Sequence, residues 1–357
     1  MPCSGQNPLV PQPDLAATTL ALVNIHSPSG AERALAEHVV ETMPWEPAWR
    51  DGETLWFDAS VGGRPLVVLA GHLDTVPAND NVPGRIENGA VHGLGASDMK
   101  GGLAVMIELA RAWEALAPAS DLDLALLFFP LEEVGLELSP LPRFFDAGLI
   151  DRAALVLVME PTDNEVQVGC VGSINARLTW HGRSSHTARP WLGVNALDLA
   201  VAQLSGVAGL PPHDVEVEGL PFREVLSITR VAGGVADNVV PDRAEATLNF
   251  RYAPHRSPDD AEARLRELAG DSVDVYSHSP AASVAVRNPL VTRLCERAAV
   301  EVTPKQAWTP VAQFAQRGLD AVNFGPGATR YAHARDEQVE IAALERSFAA
   351  LRTFLSA

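Results

Sequence analysis

His72 and Asp74 stand two residues apart, just past the apolar run Leu66 to Ala70. The two-residue period of a strand turns both side chains to one side. A metal-binding His commonly gives its second ring N–H to a carboxylate, so His72 is a candidate ligand and Asp74 its orienting partner. Asp98 lies in Ala96-Ser97-Asp98-Met99-Lys100-Gly101-Gly102. The glycines there allow close backbone approach and a sharp entry into a helix, so a carboxylate held in that turn could bridge two cations. Glu132 and Glu133 follow Leu126 to Leu131. Past a strand end both can reach one crevice, one as a ligand and the other as acceptor of a water proton. Glu160 caps the run Leu155 to Met159 and precedes Pro161, and His333 lies in the Gly-rich loop from Gly325 to His333. Histidine and carboxylates placed at strand ends are the ingredients of a metal site in an α/β crevice, and the chemistry is metal-assisted hydrolysis.

Each of these residues also has an ordinary structural reading. His72 and Asp74 would make a pair at a sheet rim, and Asp98 would be a helix N-cap. Glu132 and Glu133 would be solvated loop acids, Glu160 the end of a strand, and His333 an exposed loop residue. Their conjunction is far harder to obtain by chance. Two histidines and three carboxylates suffice to ligate two zinc ions that share one carboxylate, with two further carboxylates left for orientation and base work.

The elements that must position these residues alternate. Helical apolar spacing covers 14–25 and 32–43, split by Ser27-Pro28-Ser29-Gly30. A strand over 66–70, a helix over 103–116, and strands over 122–130 and 154–159 imply a largely parallel sheet covered by helices. From about residue 171 the pattern changes. Strands over 173–181, 225–231 and 244–252 alternate apolar and polar, and helices cover 195–207 and 259–268, as in a small α+β domain. A helix over 289–300, a strand over 321–324 and a helix over 341–355 restore the first pattern. The expected division is therefore a discontinuous catalytic domain, 1–173 and 286–357, and an inserted lid and dimerisation domain, 174–285. The expected fold class is α/β, with a mixed, mostly parallel sheet flanked by helices.

Composition narrows the partners. The chain has 357 residues, 47% of them apolar, and a formal net charge of −18 from 45 acidic and 27 basic residues. Nucleic acid or an anionic membrane would need clustered Lys and Arg, so neither is expected. No basic residue precedes Arg33, and Pro2, Pro8, Pro11 and Pro13 interrupt any apolar stretch, so no leader peptide is expected. Cys3, Cys170 and Cys295 have no paired spacing. That fits a reducing cytoplasm and leaves any metal to His and carboxylate.

With these residues in order, the chain resembles the co-catalytic zinc family of aminoacylases, carboxypeptidases and desuccinylases. The resemblance rests on His72-Leu73-Asp74, Asp98 to Gly102, Glu132-Glu133, Glu160-Pro161 and His333, and spans nearly the whole chain. Within that family the finer likeness is to actinobacterial-type succinyl-diaminopimelate desuccinylases. It is carried by Ala70 to Leu94, His186 to Ala196, Val231 to Pro241 and Ala321 to Gly327.

The resemblance implies an α/β catalytic domain with a lid, and two zinc ions per subunit, with cobalt able to substitute. It implies that Asp98 bridges the ions, that His72 and Glu160 complete one site, and that Glu133 and His333 complete the other. Glu132 would be the general base and Asp74 the support of His72. The Asp98–Met99 peptide would be cis. His186 would serve the neighbouring subunit's site in a homodimer by stabilising the tetrahedral oxyanion, and Asn238, Arg251 and Gly325 would contact substrate. The implied substrate is N-succinyl-LL-2,6-diaminopimelate. Another N-acyl-amino acid or a dipeptide is the alternative, and a zinc-binding scaffold without turnover is the reading from another class. One departure stands near the substrate: this chain reads Thr309-Pro310-Val311 where desuccinylases of this type carry Thr-Asp-Val.

Overall fold

The structure, a computed structural model, describes residues 13–356. Cys3 and the stretch before Pro13, over which no leader peptide is expected, lie outside them. The chain separates into two compact units. One comprises the chain up to Val168, Ala285–Thr303 and the chain from Gln313 on. The other comprises Gly169–Val284 and Pro304–Ala312.

The first unit is built on an eight-stranded sheet. Strand Leu66–His72 is buried along its whole length, as is its neighbour Asp123–Phe129. Continuous apolar strands of this kind belong to the covered interior of a parallel sheet. Leu66–His72 pairs in parallel with Asp123–Phe129 on one side and Ala153–Val158 on the other, and Ala321–Asn323 continues the parallel run. The margins are antiparallel: Thr54–Asp58 runs against Asp123–Phe129 and folds back on Trp49–Asp51. The fold is thus mixed α/β with a mainly parallel central sheet. Helix Gly101–Leu116 is buried over almost all of its length, and Ile341–Leu355 buries Leu344, Phe348, Leu351 and Phe354. A separate three-stranded sheet pairs Gln338–Glu340 with Ala90–His92, and that strand with Arg85–Glu87. It brings the chain just after His333 beside the segment that leads into Asp98.

The second unit is a five-stranded antiparallel sheet in the order His213–Val217, Leu220–Gly233, Arg243–Tyr252, Gly172–His181, Asp274–Ser279. Arg243–Tyr252 alternates buried and partly exposed residues, the pattern of a strand with one covered face. That face packs Ala246, Leu248 and Phe250 against Ala196, Ala200, Ala261 and Leu265 from helices Ala196–Leu204 and Pro258–Ala269. Helix Pro258–Ala269 starts in a capping box between Ser257 and Asp260. Pro304–Ala312 joins this unit through backbone and side-chain bonds: Val171 N–H donates to the Lys305 carbonyl at 3.3 Å, and Trp308 Nε1 to the Pro280 carbonyl at 3.0 Å. Among the described residues no helix is long and apolar enough to cross a membrane.

Candidate metal centre

The central strands deliver the site. His72 is the last residue of Leu66–His72, and it is 1% exposed. Its Nδ1 lies 3.0 Å from the Asp74 backbone carbonyl and 3.6 Å from Asp74 Oδ1. The nearer partner is the carbonyl, which places the proton on Nδ1 and frees Nε2 to face the cluster; at 3.6 Å the Asp74 carboxylate acts through charge. Nε2 lies 3.1 Å from Asp98 Oδ1 and 3.7 Å from Glu160 Oε1. Across the cluster, His333 Nε2 lies 3.0 Å from Glu133 Oε1 and 3.6 Å from Asp98 Oδ2. The two oxygens of Asp98 therefore face two different histidines. The Asp98–Met99 peptide is cis.

The two glutamates reach the crevice because the chain leaves strand geometry first. The strand ends at Phe129, and Leu131 has a φ of 62°, a left-handed conformation. Asp74 then fixes the pair: Oδ1 accepts the Glu132 N–H at 3.0 Å and Oδ2 the Glu133 N–H at 2.9 Å. Ser29 Oγ also donates to Asp74 Oδ2 at 2.7 Å, and Glu32 Oε1 accepts the Leu131 N–H at 3.3 Å. Neither Ser29, read from the sequence as part of a turn between two helices, nor Glu32, read as the start of the second helix, was expected at the site. Nor was Glu337: its buried carboxylate accepts the backbone N–H groups of Gly95, Ser97 and Asp98.

Electrostatics follow from so many acids in one buried place. Burial, then Glu160, raises the Glu132 carboxyl well above the usual carboxylate range; His72 opposes this, and Glu133 and Asp98 add to it. Burial alone would lower the His72 imidazole, but the Asp74 and Asp98 carboxylates beside it raise it well above its ordinary value. The hydrogen bond to Glu133 raises His333 to about 9 despite partial burial. Burial pushes the Asp74 carboxyl up, but His72 and the two backbone N–H donors win and bring it to about 2.

His72 with Asp98 and Glu160, and Asp98 with Glu133 and His333, are each sets whose ligand atoms lie within 4.8 Å of one another. Imidazole nitrogen with carboxylate oxygen suits Zn²⁺. The upward shifts at His72, His333 and Glu132 reflect the negative charge gathered here, which divalent cations at the two sets would offset. The donor set thus fits a pair of metal ions that share Asp98.

The other expected residues fall in both units. His186 and Asn238 meet in the second unit, where Ser185–His186 pairs with Val239–Val240 and the Thr187 N–H donates to the Asn238 carbonyl at 3.1 Å. His186 Nδ1 accepts the Ala188 N–H at 3.0 Å, which assigns the ring proton of the neutral imidazole to Nε2 and makes that atom a donor. Arg251 is not joined to this pair. It sits at the far end of Arg243–Tyr252, opposite Ser173 and Val225, and gives its Nε–H to Asn249 Oδ1 at 2.9 Å. Gly325 belongs to the first unit. Its N–H donates to Thr162 Oγ1 at 3.0 Å, and its carbonyl accepts the Thr162 hydroxyl and the Asn164 N–H, each at 3.1 Å. A Cβ there would stand 2.4 Å from the Glu160 carbonyl, so glycine serves close packing behind that residue.

The profile of Peptidase family M20/M25/M40 matches residues 68–357. A putative succinyl-diaminopimelate desuccinylase DapE of Mycobacterium tuberculosis is 37% identical over 347 residues, covering 94% of this chain and 96% of that protein. The succinyl-diaminopimelate desuccinylase of Corynebacterium glutamicum is 35% identical over 358 residues, 96% of each chain. Among solved structures, the aminopeptidase PepT of Bacillus cereus superposes with a TM-score of 0.75 at 19% identity, covering 96% of this chain and 97% of that one.

Proposed function

Starting from the fact that this chain belongs to peptidase family M20/M25/M40, we propose that it is a metal-dependent amidohydrolase that splits N-succinyl-LL-2,6-diaminopimelate into succinate and LL-2,6-diaminopimelate. The substrate is supported by the two desuccinylases that match nearly end to end at 35–37% identity. The observation that carries the chemistry is the placement of Asp98, with Oδ1 toward His72 and Oδ2 toward His333.

His72 and Glu160 would hold one Zn²⁺ and Glu133 and His333 the other, with Asp98 shared. When bound, the ions supply Lewis acidity, acidifying water and drawing electron density from an amide carbonyl. Glu132 is the proton carrier. Its carboxyl, raised by burial and by its acidic neighbours, takes a proton from the attacking water and returns it to the leaving amine nitrogen. Asp74 holds Glu132 and Glu133 by their amides, so base and ligand keep fixed positions. His186 Nε2–H donates to the tetrahedral oxyanion, and Asn238 and Arg251 bind the substrate's carboxylate or carbonyl groups. A homodimer, in which His186 serves the partner's site, is part of this reading. So is a cytoplasmic setting, which the free thiols Cys170 and Cys295 suit.

The test is amine release by zinc-loaded protein from N-succinyl-LL-diaminopimelate, N-acetyl-amino acids and dipeptides, followed with ninhydrin. Fast release from the succinyl substrate alone supports the proposal. A preference for an acetyl-amino acid or a dipeptide moves the chain to another substrate class, with the Pro310 departure as the first place to look. Zinc uptake without turnover of any substrate would make it a binding protein.

A further inference from the structure

Glu337 follows His333 by four residues and is 2% exposed. Its Oε1 accepts the Ser97 and Asp98 N–H groups at 3.0 Å each, and its Oε2 accepts the Gly95 N–H at 2.8 Å. Its backbone carbonyl takes the Gly93 N–H at 3.0 Å. One residue thereby clasps the whole segment from Gly93 to Asp98. A carboxylate withdrawn from water is costly unless donors surround it, and three backbone amides supply charge-assisted bonds. Side-chain substitutions cannot remove amide donors, so the three bonds to Gly95, Ser97 and Asp98 depend on the acid of Glu337. On the other side, Gly95 approaches Thr75 and Lys100 so closely that a Cβ would lie 2.7 Å from Thr75 Cγ2. The segment is gripped from two sides, and it ends in Asp98, whose Oδ1 faces His72 and whose Oδ2 faces His333.

We infer that Glu337 is the positioning residue that fixes Asp98 in the place where it can be shared by two metal ions. The inference rests on the reading of Asp98 as the shared ligand. A functional constellation tolerates displacements of only about 0.5 Å, and a shared carboxylate has two distances to satisfy at once. Glu337 reaches neither substrate nor the reacting atoms in this role; it acts through the Asp98 backbone.

The experiment compares metal-stripped wild type, Glu337→Ala and Glu337→Gln. Each is titrated with Zn²⁺ alone by calorimetry, and thermal unfolding, kcat and KM are measured alongside. Wild type is expected to bind zinc, and Glu337→Ala to bind it roughly 10–100-fold more weakly, the usual effect of removing a ligand's support. In that variant kcat falls while KM stays within about twofold, the pattern of a lost transition-state contribution rather than lost substrate binding. Glu337→Gln keeps one acceptor oxygen and should fall between the two. A variant that melts earlier yet binds zinc as wild type does would show an ordinary loop anchor and overturn the inference. Should Glu337→Ala fail to fold, Glu337→Gln decides: wild-type zinc affinity overturns the inference, and a severalfold loss upholds it. Wild type that binds no zinc would remove the metal reading itself, and this inference with it.

Discussion

The Asp74 carboxylate holds the backbone of Glu132, Oδ1 accepting its N–H at 3.0 Å, while Oδ2 accepts the N–H of Glu133 at 2.9 Å. The residue expected to support His72 therefore ties three members of the cluster together. Replacing Asp74 by Ala leaves two amides and the Ser29 hydroxyl without an acceptor. The expected result is a loss of roughly 10–100-fold in kcat/KM or zinc affinity, of the size seen for supporting partners of ligands. Wild-type values for both would refute the role.

Acid stability of the metal-free protein reads the same carboxylate. Its folded pKa, about 2, lies below the model-peptide value of about 3.9. With the folded value depressed, the stabilisation is fully present above about pH 4 and is lost as pH falls through about 2, below which both states are protonated. The shift corresponds to about 2 kcal/mol. The difference in unfolding free energy between wild type and Asp74→Asn should therefore shrink between pH 5 and 2. A constant difference over that range would mean that Asp74 acts without its charge.

Glu132 is asked to move a proton, so its loss should separate chemistry from metal binding. In Glu132→Gln, kcat should drop by about 10²–10⁴, with zinc content unchanged. Activity of the wild type should fall as pH is lowered through the Glu132 titration, because only the carboxylate can accept. Near-normal turnover in the variant would end the base assignment.

Much of this centre was readable before any fold was known, because chemistry-bearing residues stand just past long apolar runs. His72 and Glu160 follow such runs directly, and the strands proved to be the buried, parallel ones. Helix Ile341–Leu355 was equally plain, its apolar period unbroken over the same bounds. What stayed hidden was made by tertiary proximity. Glu337 meets Ser97 across 240 residues, and Ser29 meets Asp74 across 45. Both partners are backbone amides or small side chains that leave no pattern in sequence. The hairpin Trp49–Asp51 and Thr54–Asp58 was missed for another reason: its strands are short, and the central Thr54 to Phe57 are buried without alternation. The attachment of Pro304–Ala312 to the second unit rests on individual hydrogen bonds, which no periodicity announces.

Gly325 offers a test of packing rather than polarity. In Gly325→Ala the new methyl would stand 2.4 Å from the Glu160 carbonyl and 2.5 Å from that of Met159, both backbone atoms with little room to yield. Overpacking of this kind costs typically 1–3 kcal/mol. The variant should melt several degrees lower and bind zinc more weakly, since Glu160 must shift. Unchanged melting and zinc affinity would mean that the strand end is looser than its contacts indicate.

Zinc uptake should release protons. His333 sits at about 9 beside Glu133, so its ring is protonated at pH 7.5 in the metal-free protein, and the carboxylates around His72 raise that ring above its ordinary value as well. A ring nitrogen can ligate only after losing its proton, so cation and proton compete. Apparent zinc affinity should therefore climb as pH rises from 6 toward 9, then level off once His333 is neutral without metal. Calorimetric titration of the stripped protein in two buffers of different ionisation enthalpy gives the proton count at each pH. Release of at least one proton per chain at pH 7.5, reduced in His333→Ala, is the expected result. Zinc binding with no proton release and no pH dependence would place the metal on carboxylates alone and take the histidines out of the centre.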